Sequence, residues 1–190
     1  MRFSDLFSAS GCLALLAALN GCGDPLSLSP AIFENREDTV KIWAATQTPV
    51  HLPSAYVVAG RTRVRLDQVS SFDFIYDINP AGRRVFIPLA ALVPTQGTAG
   101  TPGLQATATP FDNIALAEQL GYVAKDSVNA TLGQVYYVRS TLDGSCPLGI
   151  PFYAKMEVLS FDSSERSVTF RILTDINCGY RGLQPGLPTR

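Results

Sequence analysis

Apolar and polar residues alternate along several short stretches of the chain, and this period of two is typical of β-strands. The first stretch, TVKIWAA at residues 39–45, places Val40 and Ile42 on one face and Lys41 on the other. Residues 55–66, AYVVAGRTRVRL, continue the pattern. They predict a second strand with a bulge at its glycine.

The stretch SFDFIYDINPAGRRVFIPL predicts a strand, a turn and a second strand. One face of the first strand is aromatic and the other mostly acidic, with Phe72, Phe74 and Tyr76 opposite Asp73, Ile75 and Asp77. The segment DINPAG begins like a calcium loop, but it lacks the later acidic ligand that such a loop requires. It is therefore interpreted as a hairpin turn.

The remaining segments predict mainly loop and strand. Residues 94–110 have no charge and no period, which favours a long exposed loop. Residues 111–120 are the only stretch of the domain that could form a helix. A turn near Gly133 and a strand over residues 134–139 follow.

The last third predicts a hairpin whose register follows from its apolar residues. The predicted pairs are Ala154 with Ile172, Met156 with Phe170, and Val158 with Val168. Continued outward, the same register places Leu148 opposite Cys178, close to Cys146.

Short strands separated by Gly, Pro and Asn turns predict an all-β fold, an antiparallel β-sandwich with at most one short helix. An immunoglobulin-like arrangement is one form of this fold. The predicted core consists of Ile42, Val64, Phe72, Phe74, Tyr76, Val85, Ile87, Val135, Met156, Val158, Phe170 and Ile172.

The amino terminus has the layout of a secretory signal peptide, with an uncharged run over residues 6–23 that is too short and interrupted for a membrane span. The run ends in Leu19, Asn20, Gly21 and Cys22, which resembles the bacterial lipoprotein signal. That resemblance implies cleavage before Cys22 and lipid on its sulfur. The alternative is an ordinary signal peptide that leaves a free thiol.

The resemblance divides the chain into a signal peptide at 1–21, a lipidated tether at 22–38 and one β-domain at 39–190. Part of the tether is apolar enough to dock on the domain. Gly23 after the cysteine resembles the pattern of outer-membrane lipoproteins, so we expect an envelope location, with the outer membrane favoured over the inner where there are two.

Each of the four cysteines can then be assigned a role. Cys12 leaves with the signal and Cys22 takes the lipid, so Cys146 and Cys178 are predicted to form a disulfide in an oxidising compartment. Zinc binding is the competing interpretation, but two isolated cysteines without a nearby histidine make a poor site. No metal and no cofactor is predicted.

The carboxyl-terminal pattern, from Cys146 through YAKMEVLSFD to NCGYRGLQPGLPTR, resembles the endings of a group of small uncharacterised bacterial lipoproteins. The resemblance implies an envelope location and a fold continuous over most of the mature chain. It implies no activity.

Charge argues against nucleic acid as a partner. The formal net charge is -1, and removal of Arg2 and Asp5 with a signal peptide leaves it unchanged. The predicted partners are the membrane, through the lipid, and an envelope protein or glycan.

Candidate catalytic residues are few. His51 is the only histidine, and the chain has no G-x-S-x-G or H-E-x-x-H motif. Asp73 and Asp77 share a predicted strand face, but four residues along a strand separate alpha carbons by roughly 13 Å, which is wide for paired catalytic carboxyls. Asp143, Asp162 and Asp175 lie in turn-like contexts.

The sequence RTRVR places Arg61, Arg63 and Arg65 on one face of a predicted strand, a weak candidate for binding phosphate or carboxylate. Pairing of Arg65 with Asp73 and of Arg61 with Asp77 would neutralise this stripe, and that interpretation is favoured. The predicted function is a non-catalytic structural, adhesive or ligand-binding domain. An envelope hydrolase using surface carboxylates is the alternative.

Overall fold

The computed structural model describes residues 28–93, 101–142 and 144–189, which form an antiparallel β-sandwich of two five-stranded sheets. The strands are β1 (Arg36–Trp43), β2 (Ala55–Val57), β3 (Thr62–Val64), β4 (Phe74–Ile78), β5 (Arg84–Pro88), β6 (Gly103–Thr107), β7 (Val128–Asn129), β8 (Val135–Arg139), β9 (Tyr153–Asp162) and β10 (Ser167–Asp175). A four-residue helix, α1 (Leu89–Leu92), follows β5.

The first sheet has the strand order β1-β10-β9-β8-β6, and the second has β3-β2-β4-β5-β7. The antiparallel sandwich is therefore confirmed. Its strand order differs from the immunoglobulin domain, whose sheets of four and three strands join different neighbours. β1, with eight residues, and β3, with three, are edge strands, one in each sheet.

Aromatic side chains fill the space between the sheets. Phe74, Phe86 and Phe170 come from both sheets, and the ring centroids of Phe74 and Phe86 lie 5.5 Å apart at a steep angle. Ten of the twelve predicted core residues are buried. The other two, Val64 and Ile87, are half-buried against a smaller cluster on the outer face of the second sheet.

The outer face of the first sheet is covered by loop segments rather than by solvent. Phe111 and Leu183 pack there in a second apolar cluster. The buried Lys155 points into this layer, where its Nζ donates to the carbonyls of Phe111 at 2.8 Å and Ile114 at 3.1 Å. Burial lowers the pKa of this amine. The two hydrogen bonds hold the covering segment on the sheet.

The terminal hairpin forms, but its predicted register is wrong by two residues. Phe170 pairs with Val158, and Ile172 pairs with Met156. A bulge between Thr169 and Phe170 shifts the register again toward the turn. Because side chains alternate with a period of two, a shift of two residues leaves the same side chains in the core.

The predicted second strand is two strands. β2 and β3 form a hairpin whose turn contains Gly60, so there is no bulged continuous strand. Arg61 closes the turn with a φ of 49°, a left-handed conformation. β2 then pairs on its other side with β4.

Two further predictions are corrected. Within the predicted loop at 94–110, β6 forms and Leu104 is fully buried, while residues 94–100 lie outside the described residues. The predicted helix at 111–120 is only a 3-10 turn, Phe111–Asn113, and α1 was not predicted. The DINPAG turn is confirmed, with the Asn79 side chain accepting two main-chain N–H groups.

Candidate functional site

A groove runs between the two edge strands on one side of the sandwich, where β1 and β3 lie next to each other. The Arg63 guanidinium on β3 donates to the carbonyl of Lys41 on β1 at 2.9 Å and joins the two edges. The groove has a volume of about 430 Å³. We call it the edge groove, lined by Asp38, Thr39, Val40, Lys41, Arg61, Thr62, Arg63 and Thr169.

Two cations flank the indole of Trp43 at one end of this groove. The Lys41 Nζ lies 5.3 Å from the ring centroid and the Arg63 guanidinium carbon lies 5.7 Å from it. Both distances fall within the range of cation–π attraction. Lys41 also forms an ion pair with Glu165 on the β9–β10 turn. Trp43 is half-buried and is the only tryptophan in the sequence.

The predicted arginine stripe is wrong in its geometry. Arg61 turns inward and donates to the carbonyls of Glu34 at 2.8 Å and Thr174 at 3.0 Å. Arg65 follows β3 and pairs with its near neighbour Asp67. The stripe required a continuous strand through this region, and the β2–β3 turn breaks it. Arg61 and Arg63 nevertheless both line the edge groove.

The main chain of β1 offers hydrogen-bonding groups to the edge groove. Asn35 exchanges main-chain hydrogen bonds with Gly186, and the Trp43 N–H donates to Pro53. Because alternate residues of a strand face opposite neighbours, Glu37 and Thr39 direct their N–H and C=O groups to the same side. Within the described part of the chain, no strand pairs with this side of β1 between Asn35 and Trp43.

The acidic face predicted for β4 is buried rather than exposed, so the predicted pairing of Asp73 and Asp77 with arginines is also wrong. Asp73 is 1% exposed, and its carboxylate accepts the N–H groups of Val58 and Thr141. Asp77 accepts both the N–H and the hydroxyl of Thr46. Each carboxylate holds a loop on the sandwich, so the hydrolase alternative rests on the sequence pattern alone.

The other candidate residues are dispersed. Asp162 caps the β9–β10 turn by accepting from the Ser164 hydroxyl and the Glu165 N–H, and these hydrogen bonds lower its pKa. His51 is exposed in a turn, and Asp143 lies outside the described residues. In the described part of the chain no group of three or more His, Cys, Asp or Glu side chains could hold a metal ion.

A buried polar cluster fastens the amino-terminal segment to the end of the sandwich. The Asn177 side chain accepts from the N–H groups of Ile32 and Phe33 and donates to the Phe33 carbonyl. The carboxylate of Asp175 accepts both the main-chain and side-chain N–H of Asn177 at 2.9 Å, while burial raises its pKa. The docked segment thus begins before residue 36, inside the predicted tether.

The predicted disulfide is present at this same end. Cys146 and Cys178 are bonded, with their alpha carbons 5.1 Å apart, and Cys146 packs into the main core. The bridge ties the β8–β9 connection to the segment after β10. Gly179 next to it has a φ of 92°, and a Cβ at this position would collide with the Leu28 side chain.

This end of the sandwich exposes many apolar side chains. We call it the apolar end, defined by Leu28, Ile32, Phe33, Leu148, Ile150 and Leu187, which are 37% to 75% exposed. Cys22, the predicted lipidation residue, lies outside the described residues, as does the signal peptide at 1–21. None of the helical segments that the structure describes has the length and hydropathy of a membrane span.

Sequence reasoning missed Lys41 and Trp43 as site residues. The alternation with Val40 and Ile42 places Lys41 and Trp43, the sole tryptophan, on one strand face. What the sequence could not show was that β3, from a different sheet, brings Arg63 to the same ring. No protein-family model matches the chain, and the comparison with curated proteins found no match.

Proposed function

We propose that the protein is a lipid-anchored, non-catalytic binding module of the bacterial cell envelope. The anchor is supported by the signal-like run that ends in Leu19, Asn20, Gly21 and Cys22. The binding role is supported by the edge groove, in which Arg61, Arg63 and Lys41 line an open surface next to Trp43.

The ligand that fits the edge groove is an extended, acidic segment of an envelope protein. The open side of β1 offers main-chain groups at strand spacing, which an extended peptide matches by adding a strand to the sheet. The two arginines have main-chain carbonyls as their hydrogen-bond acceptors in the groove, at Glu34, Thr174 and Lys41. Their positive charge therefore favours carboxylate side chains on the ligand.

Trp43 provides a reporter that needs no label, because it is the only tryptophan of the chain. A short synthetic peptide that alternates glutamate and valine should change its emission saturably, whereas the same peptide with lysine in place of glutamate should not. Arg63→Gln should weaken binding by about tenfold, the effect of losing roughly one charge-assisted hydrogen bond. Arg83→Gln, which removes an exposed arginine from the β4–β5 turn, is the matched control.

Equal responses to both peptides, or equal loss in both variants, would contradict the acidic-peptide ligand. A response to an acidic oligosaccharide alone would assign the groove to a glycan instead. The anchor is tested separately by mass spectrometry of the mature protein from membranes. A chain that begins at Cys22 and carries acyl groups is expected, and an unmodified amino terminus would contradict it.

A further inference from the structure

Exposed apolar side chains are concentrated at the end of the sandwich where the chain enters it. Of the fifteen large apolar residues exposed in the described part of the chain, nine lie at this end: the six of the apolar end, together with Leu92, Val93 and Leu142. The opposite end, at the turns between strands, exposes Val50, Leu132 and, next to that turn, Leu159. A one-sided distribution of this kind marks an interaction surface.

Within the apolar end, Ile32 and Phe33 line two hollows. Ile32 and Phe33 line a hollow of about 170 Å³ with Tyr180. The same two residues line a second hollow of about 470 Å³ with Leu187, and the charged residues Glu34, Arg36 and Arg61 form the rest of its lining. The main-chain N–H groups of Ile32 and Phe33 donate to the Asn177 side chain, and these hydrogen bonds fix both residues to the body of the domain.

The length of chain before this surface indicates what covers it. Leu28 is the sixth residue after Cys22. Even fully extended, the chain between these two residues spans only about 20 Å, since each residue adds at most about 3.6 Å. A lipid on Cys22 therefore keeps the apolar end near the bilayer, where Phe and Tyr side chains favour the interface between headgroups and acyl chains.

We propose that the apolar end rests on the lipid surface and holds the domain upright, with Ile32, Phe33 and Leu148 in the interfacial region. This inference rests on the proposed lipid anchor at Cys22. It also orients the edge groove, because β1 runs away from the apolar end. From Arg36 to Trp43 the strand spans about 23 Å, so Trp43 is raised above the membrane.

The orientation is testable with the full lipidated protein in vesicles of phosphatidylethanolamine and phosphatidylglycerol that contain brominated lipid. Phe33→Trp in a Trp43→Phe background places a single tryptophan at the apolar end, and the wild-type protein carries one at Trp43. Bromine quenches tryptophan only at short range. We expect at least a twofold loss of emission for the tryptophan at position 33 and no loss for Trp43.

Two polar substitutions provide the second readout. Ile32→Gln with Leu148→Gln should reduce the quenching at position 33 by at least half, because both side chains would leave the interface. Val50→Gln with Leu132→Gln, at the opposite end, is the matched control and should leave it unchanged. All four positions are exposed, so the variants retain the core.

Failure of the orientation and failure of the anchor give different results. A lipidated protein that floats with the vesicles while position 33 is quenched no more than Trp43 overturns the orientation alone. The tryptophan at position 33 could instead become shielded from aqueous acrylamide as the protein concentration rises, without quenching by bromine. That result would assign the apolar end to contact with a second copy of the chain and overturn the proposal. An amino terminus without lipid overturns the anchor, and the proposal with it.

Discussion

Removal of the disulfide should lower the free energy of unfolding without changing the fold. Cys146→Ala with Cys178→Ala opens a loop with a sequence separation of 32. In the chain-entropy description, the bridge restricts the unfolded chain. Its removal gives the unfolded chain more freedom, which lowers the free energy of unfolding by about 4 kcal/mol for a loop of this length. Cys146 is 7% exposed in the main core, so loss of its sulfur adds a smaller packing term.

Urea unfolding followed by circular dichroism measures the effect, with reduced wild-type protein as a second arm. Reduction removes the covalent constraint but keeps both sulfur atoms, so the difference between the two arms isolates the packing term. We expect a loss of about 2 to 5 kcal/mol in both. The response of Trp43 to the acidic peptide should persist in the folded variant, because neither cysteine lines the edge groove.

Two outcomes would refute this reasoning. Alkylation of the unreduced, denatured protein could reveal free thiols at Cys146 and Cys178, which would mean that the bridge does not form. Alternatively, the double variant could unfold at the same urea concentration as the wild type. In that case the hydrogen bonds of Asn177 and the strand pairs of β10 would hold this end without the bridge.

Two further substitutions test buried charges. Burial raises the pKa of Asp175, so above the unfolded value of about 3.9 the folded state binds more protons than the unfolded state. The stability of the wild type should therefore fall relative to Asp175→Asn as the pH rises from about 3.9 through the folded pKa. Urea unfolding at several pH values checks this, and a stability difference that stays constant with pH would contradict it. Lys155→Met removes both hydrogen bonds to the segment at 111–117. The amides of that segment should then exchange faster in hydrogen-exchange mass spectrometry, by the equivalent of about 2 kcal/mol. Lys125→Met, at an exposed lysine, is the control and should have no effect.

Local pattern was sufficient wherever a strand has one buried face and a defined turn. The β4–β5 hairpin followed from alternating aromatics and the Asn79 turn. The members of the terminal hairpin's core were also correct. Its register was not, because alternation cannot distinguish two registers that differ by two residues, and the bulge at Thr169 and Phe170 leaves no periodic signal.

Predictions failed where a residue's environment comes from a distant segment. The alternation of its own strand predicts that Asp73 is a surface acid, but Val58 and Thr141 bring main-chain N–H groups to it and it is buried. β6 was missed because GLQAT has little β-propensity. A Cβ at Gly103 would lie 2.9 Å from the Val123 carbonyl oxygen, so β6 begins with glycine because the neighbouring segment leaves no room for a side chain.

The candidate site shows the same limit. The edge groove exists because edge strands from two different sheets meet, and no local pattern records which strands become edges. The sequence RTRVR predicts a shared face for the three arginines, which they do not have. Arg63 reaches the groove from β3, whereas Arg61 reaches it through a left-handed turn residue. The residue types were therefore informative, while their geometry depended on the whole sandwich.

Arg61 connects the two surfaces that the proposals assign. Its guanidinium lines the edge groove and also donates to the Glu34 carbonyl, next to Phe33 at the apolar end. Its second acceptor, the Thr174 carbonyl, lies at the end of β10, adjacent to the cluster of Asp175 and Asn177. The edge groove and the apolar end are thus connected by one set of hydrogen bonds, so the position of Arg61 in the groove depends on the same contacts that dock the amino-terminal segment.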